Sequence, residues 1–166
     1  MTDEYYDVIS SGYDELHEAE QIKKLETIKK EIKITPKTKL LDVGCGTGLS
    51  SQFDCNVTGV DPSHELLKIA KKKFPEIKFV QASAEKLPFK DKEFDVVVSV
   101  TAIQNFMDIE KGLNEIKRVG NETFALSFLK KSSKAKIIER LIRKIFSEFK
   151  TKEIEEDKDF ICIIKD

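Results

Sequence analysis

The feature that most constrains this chain is an alternation of two hydrophobic periods. Short apolar runs rich in β-branched residues, at 39–43, 56–60, 77–81, 94–100 and 123–129, are separated by segments whose apolar residues recur every three or four positions. Residues 16–33 place Leu16, Ala19, Ile22, Leu25, Ile28 and Ile32 at helical spacing, and Pro36 closes that region. Ser63 can cap a helix carrying Leu66, Leu67, Ile69 and Ala70, and Asp108 one carrying Ile109, Leu113, Ile116 and Val119. Ser132 or Ser133 opens a last helix with Ile138, Leu141, Ile142, Ile145 and Phe146 on one face. Runs this apolar are strands buried on both faces, and 94–100, the most β-branched, belongs in the middle of the sheet. Two strand-like runs, about 150–156 and 159–165, end the sequence. The two residues between them cannot carry a parallel crossover, so this pair must be an antiparallel hairpin. The expected architecture is α/β with three layers: a seven-stranded, mostly parallel sheet, helices on both faces, and a C-terminal antiparallel hairpin strand.

Composition excludes more than it selects. At 166 residues the chain has room for a single domain, 1–166. Lys+Arg of 29 against Asp+Glu of 30 leaves a formal net charge of -1, so bulk charge names no polyanionic partner. Residues 130–152 nonetheless hold nine Lys/Arg against two Glu, a stretch that either meets phosphate or is the solvated face of an amphipathic helix. Cys45, Cys55 and Cys162 form no CxxC pair and, being odd in number, cannot all pair within one chain, so no metal site and no disulfide framework are expected. The acidic start Met1-Thr2-Asp3-Glu4 has no apolar run, and no stretch approaches the ~18 apolar residues of a membrane span, so the expectation is a cytoplasmic protein with no membrane partner.

Gly44-x-Gly46-x-Gly48 follows the first strand, where ligands of open α/β sheets bind. Alone, such a turn is equally well a tight strand-to-loop connection. Two acids and one absence refine it. Asp61 ends the second strand, where a carboxylate can accept both hydroxyls of a ribose. Asp42, just before the loop, would repel a pyrophosphate but suits the ammonium of an amino acid. Leu49 stands where the dinucleotide fingerprint places its last glycine. The pattern favours an adenosyl amino acid.

These residues resemble the class I S-adenosylmethionine-dependent methyltransferases, and most of all the branch containing the ubiquinone/menaquinone C-methyltransferases. The resemblance is carried by Leu40-Leu41-Asp42-Val43-Gly44-Cys45-Gly46-Thr47-Gly48, Gly59-Val60-Asp61-Pro62-Ser63, Ala84-Glu85-Lys86-Leu87-Pro88-Phe89 and Phe94-Asp95-Val96-Val97-Val98. It implies a Rossmann-like core over 38–166 preceded by an N-terminal lid and helix over 1–35. It implies S-adenosyl-L-methionine as cofactor, leaving as S-adenosyl-L-homocysteine. Asp42, Gly44, Cys45, Gly46 and Gly48 would then lie along its methionine end, Asp61 on the ribose, Pro62 and Leu66 beside the adenine, and Ser83, Ala84 and Glu85 along the adenine edge. Tyr5, Tyr6 and Tyr13 resemble the family's lid over the cofactor, and Tyr13 is the lid residue assigned to the cofactor; packing of the first helix explains these tyrosines equally well. Ser83 stands where relatives carry an acid. Residues 49–53 leave barely one turn where relatives have a longer helix, and Gly120-Asn121-Glu122-Thr123 replaces the usual Pro-Gly-Gly turn.

Methyl transfer from a sulfonium requires chiefly that a nucleophile be held in line with the S–CH3 bond at about 3–3.5 Å. Thr101, Gln104 and Asn105 follow the fourth strand and are the candidates facing the methyl, with Thr101 also against the cofactor; the other reading is a polar loop capping its own backbone. His17 is a further candidate, unless it is only helix surface, and His64 is expected to face solvent. No Asn/Asp-Pro-Pro-aromatic tetrapeptide follows the fourth strand, which within the family argues against methylation of exocyclic base amines. No cysteine occupies that loop, which argues against a cysteine nucleophile acting on pyrimidine C5. Without insertions near the late strands the mouth should be open, which leans toward a macromolecular acceptor, RNA or protein, with a small activating protein subunit as a partner. A small metabolite under the N-terminal lid and a non-catalytic cofactor-binding protein remain the alternatives.

Overall fold

A computed structural model describes residues 18–166. Helix α1 is described over 18–31. Strands β1 (Lys39–Val43), β2 (Asn56–Asp61), β3 (Lys78–Gln81), β4 (Phe94–Ser99), β5 (Gly120–Leu129), β6 (Lys150–Glu155) and β7 (Asp159–Lys165) form one sheet in the order β3-β2-β1-β4-β5-β7-β6. The first five pair in parallel, while β7 runs antiparallel to both β5 and β6. The most β-branched run therefore holds the central place, and the last two runs form the hairpin that their short connection demands.

The strands sort their side chains with period two. Leu40, Val96, Val98, Ala125, Ile161 and Ile163 point to one face and pack against Leu25 and Ile28 of α1 and Ile32 just beyond it. Their neighbours Leu41, Val97, Phe124, Leu126, Cys162 and Ile164 point to the other. There they meet helix α3 (Ile109–Val119) through Leu113, Ile116 and Val119, and helix α4 (Ala135–Ile145) through Ile138, Leu141, Ile142 and Ile145. Helix α2 (His64–Lys73) sets Leu67 and Ala70 on Phe79 and Cys45. The result is the three-layer α/β/α sandwich. Ser63 Oγ accepts from Leu66 N and Asp108 Oδ1 from Lys111 N, so both anticipated caps form.

Three local features differ from the sequence reading. Strand β5 begins at Gly120 rather than Thr123, because α3 passes straight into it; a Cβ on Gly120 would lie 2.3 Å from the Phe124 ring. Neither Ser132 nor Ser133 caps α4. Lys134 takes the cap position without a side-chain bond, while Ser132 Oγ accepts from Lys134 N in the turn before it. On α1 the buried stripe is Gln21, Lys24, Leu25 and Ile28, with Ile32 just beyond it, whereas Ala19 and Ile22 are exposed. Lys24 is drawn inward by Asp159 at the start of β7, a partner that periodicity cannot see. No helix among the described residues is long and apolar enough to cross a membrane.

Phe124 anchors the α3/α4 face, with ring centroids 4.9 Å from Phe146 and 5.5 Å from Phe149. Phe124→Ala should lower unfolding free energy by about 3–5 kcal/mol in urea titrations.

Candidate cofactor site

Strands β1 and β4 are neighbours, yet the chain leaves them toward opposite sides of the sheet order, which makes their carboxyl ends the switch point of this fold. The glycine loop fills that point. Gly44 N and Cys45 N both donate to Val60 O, at 2.8 and 3.0 Å, which fastens the loop to β2. Gly44, Gly46 and Gly48 have φ of 77°, 54° and 90°, the left-handed region that favours glycine. Their reasons for being glycine differ. A Cβ on Gly44 would lie 2.5 Å from Ala102 Cβ, and one on Gly48 2.8 Å from the Phe74 ring. A Cβ on Gly46 would meet nothing within 4 Å among the described residues, so no packing against them requires a glycine there. After the loop, a single 3-10 turn (Leu49–Ser51) is all that precedes β2.

Two acids converge on the loop. Asp61 ends β2 with Oδ2 accepting from Gly46 N at 3.0 Å and Oδ1 from Ser63 N at 2.9 Å. Asp42 is fully buried; its Oδ2 accepts from the hydroxyls of Ser50 (2.6 Å) and Ser51 (2.7 Å). Its Oδ1 is buried with no hydrogen-bond partner among the described residues. Burial pushes the Asp42 carboxyl from 3.8 up to about 6, against the two serine hydroxyls that favour its charge, and nearby Asp61 adds to the rise. A buried anionic oxygen without a partner among the described residues is the group that a cofactor's ammonium would satisfy. The donor set therefore fits S-adenosylmethionine. Cys45 turns its thiol into the α2 cluster, where burial, with Asp42 and Asp61 close by, pushes it far above its usual range. It contributes its backbone N–H to the fastening of the loop.

The segment after β3 forms the adjoining wall. Ala84 is buried, Ser83 and Glu85 are half-buried, and Pro62 and Leu66 are exposed at the start of α2. Glu85 Oε1 accepts from Asp108 N at 3.0 Å. Glu115 accepts from Leu87 N, while Arg118 donates to the carbonyls of Leu87 and Phe89 and forks onto Glu115. This staple was not legible in the sequence, because it joins α3 to a loop about thirty residues away. Ser50 and Ser51 were missed too: as polar residues in a short connection they look like turn surface.

The residues after β4 are placed as follows. Thr101 has φ 54° and a hydroxyl engaged with Lys24 and Asp159. Gln104 Nε2 donates to Thr101 O at 2.8 Å, and its Oε1 is buried without a hydrogen-bond partner among the described residues. Asn105 is exposed, and so is His64. The structure thus brings Asp42, the three glycines and Asp61 together, with Ala102 against Gly44. Tyr5, Tyr6, Tyr13 and His17 lie outside the described residues.

Because the Asp42 pKa is raised on folding, its contribution to stability is full below about 3.8 and is lost as pH rises through about 6. At neutral pH the charged form therefore costs about 3 kcal/mol. Asp42→Asn should raise unfolding free energy at pH 7–8, with the gain shrinking toward pH 4, while weakening S-adenosylmethionine binding; denaturant titrations at both pH values and calorimetry check this. Gly46→Ala should cost stability only about 1–2 kcal/mol for its left-handed backbone yet lose cofactor affinity, whereas Gly44→Ala should lose both through its collision with Ala102. Thermal unfolding beside calorimetry separates the two.

A family profile described as a methyltransferase domain matches residues 41–123, half of the chain. The protein MJ1252 of Methanocaldococcus jannaschii is 41% identical over 118 residues, covering 70% of this chain and 46% of the relative. A demethylmenaquinone methyltransferase of Chlorobaculum tepidum is 40% identical over 96 residues, covering 55% of this chain and 40% of the relative. The chain thus spans less than half the length of these curated relatives. A chain of the complex containing the Trm112 methyltransferase activator of Haloferax volcanii superposes with a TM-score of 0.76, over 99% of this chain and 98% of that one, at 17% identity, and so shares the fold. With the family profile spanning the glycine loop, both acids and the wall after β3, the chain belongs to the class I S-adenosylmethionine-dependent methyltransferases.

Proposed function

We propose that this chain transfers a methyl group from S-adenosylmethionine to an RNA acceptor presented at the open carboxyl edge of the sheet. The observation that carries the reaction is the buried Asp42 Oδ1, without a hydrogen-bond partner among the described residues, on the same loop as Gly46, whose N–H donates to the Asp61 carboxylate. Asp42 would hold the ammonium, the loop N–H groups the methionine end, and Asp61 the ribose hydroxyls. Pro62, Leu66, Ser83, Ala84 and Glu85 would flank the base. The cofactor itself supplies the activated methyl, so the protein's task is to orient the acceptor and exclude water.

Two features support a large, phosphate-bearing acceptor. The late connections are short: residues 130–134 join β5 to α4, and 156–158 join β6 to β7, so neither carries an insertion over the carboxyl edge. The first of these connections carries Lys130, Lys131 and Lys134, with Lys136 just beyond, and Lys134 Nζ donates to Gln104 O on the segment after β4. Lysines at the lip of the site would meet phosphates. A small quinone-like acceptor is the second reading, favoured by the demethylmenaquinone methyltransferase among the relatives. A small activating subunit is a candidate partner on the strength of the similar chain found in a complex with Trm112.

Asp61→Ala should weaken S-adenosylmethionine binding by about 1–3 kcal/mol in calorimetry, the range for hydrogen bonds to a charged group. Incubation with methyl-labelled cofactor and fractionated cell extract, with and without a Trm112-type protein, should place label in the RNA fraction. Label confined to low-mass lipid would transfer the assignment to the quinone reading, and absence of cofactor binding under every condition would sink both.

A further inference from the structure

Lys24 on α1, Thr101 after β4 and Asp159 at the start of β7 close a buried polar ring. Lys24 Nζ lies 3.1 Å from Asp159 Oδ1 and donates to Thr101 Oγ1 at 2.8 Å, and Thr101 Oγ1 donates to Asp159 Oδ2 at 2.6 Å. The Lys24 and Asp159 side chains are 8% and 0% exposed. A buried ion pair is seldom more stabilising than a well-packed apolar pair, so stability alone is a poor reason for its presence. Thr101 supplies a better one. It is β-branched and sits at φ 54°, a conformation that persists only where the surroundings impose it. Its N–H donates to Ser127 O and Ser127 Oγ, its carbonyl accepts from Gln104, and its hydroxyl is gripped from both sides by the ion pair. The next residue, Ala102, presses its methyl on Gly44 so closely that no Cβ could fit there. Two residues upstream, Ser99 Oγ donates to Val43 O and ties the end of β4 to the end of β1.

We propose that Lys24, Thr101 and Asp159 are positioning residues: they hold the left-handed turn after β4, which sets Ala102 against Gly44, so that the docking of α1 is registered at the glycine loop. The functional side of this inference rests on the cofactor reading above. Each ring member comes from a different element, and none of the three needs to touch the ligand.

The test compares Thr101→Val, which keeps the shape and removes the hydroxyl, with Thr101→Ser, which keeps the hydroxyl. A Lys24→Met/Asp159→Leu pair replacement removes both charges together and so avoids stranding one of them. Thermal unfolding identifies the folded variants, calorimetry gives the dissociation constant for S-adenosylmethionine, and amide NMR follows Gly44 and Ala102. Thr101→Val and the pair replacement should weaken binding roughly ten-fold and move both amide resonances, with Thr101→Ser recovering most of the loss. Folded variants with unchanged affinity and unmoved resonances would overturn the proposal, as would Thr101→Ser behaving like Thr101→Val. Should the pair replacement fail to fold, the two Thr101 variants decide. If the unsubstituted protein binds no cofactor, the cofactor reading falls, and the Gly44 and Ala102 resonances still decide the positioning role.

Discussion

Strand β4 is buried on both faces and paired on both edges, and the remainder of the structure is arranged around that requirement. Val96 and Val98 need one apolar layer and Val97 the other, so helices must cover the sheet above and below. Its parallel partners β1 and β5 satisfy its backbone. With β1 beside it and the chain continuing from β1 toward β2, the carboxyl ends of these two central strands form a crevice. The glycine loop occupies that crevice with Gly44, Gly46 and Gly48 at positive φ, and Ala102 leaves no room for a Cβ on Gly44.

The crevice concentrates features that an idealised fold would avoid. Asp42 is buried with one oxygen unpartnered among the described residues, burial pushes its carboxyl up to about 6, and Thr101 adopts a backbone conformation foreign to a β-branched residue. Elsewhere the polar groups are used conventionally: Ser63 and Asp108 cap their helices, and Arg118 staples a loop through carbonyls and a carboxylate. The costs at Asp42 and Thr101 sit at the carboxyl end of the sheet, where a functional site is expected to place them, whereas Lys92, at φ 54°, lies in the turn before β4.

Most strands were legible to within one or two residues, because continuous apolar runs have few other homes in a chain of this size. The glycine loop and the acid after it were legible for a different reason: left-handed turns and strand-end carboxylates are written in residue type. Of the apolar stripe read for the first helix, Leu25, Ile28 and Ile32 are buried, but Ala19 and Ile22 are not. Ile22 faces outward while Gln21 and Lys24 are buried, since Asp159 reverses the usual preference for lysine at the surface. The start of β5 and the cap of α4 were likewise set by packing on Phe124 and by the turn at Ser132, which carry no strong local signal.

By itself, then, the sequence determined the set of strands, the antiparallel closing hairpin, the central place of β4 and the glycine turn after β1, all of which follow from side-chain period and backbone preference over a few neighbouring positions. The tertiary structure decided which oxygen of Asp42 meets the Ser50 and Ser51 hydroxyls, which face of α1 is buried, and that Thr101 meets Lys24 and Asp159, 77 and 58 residues away along the chain. Those outcomes depend on desolvation and on long-range pairing, which are sums over neighbours that no local stretch of sequence contains.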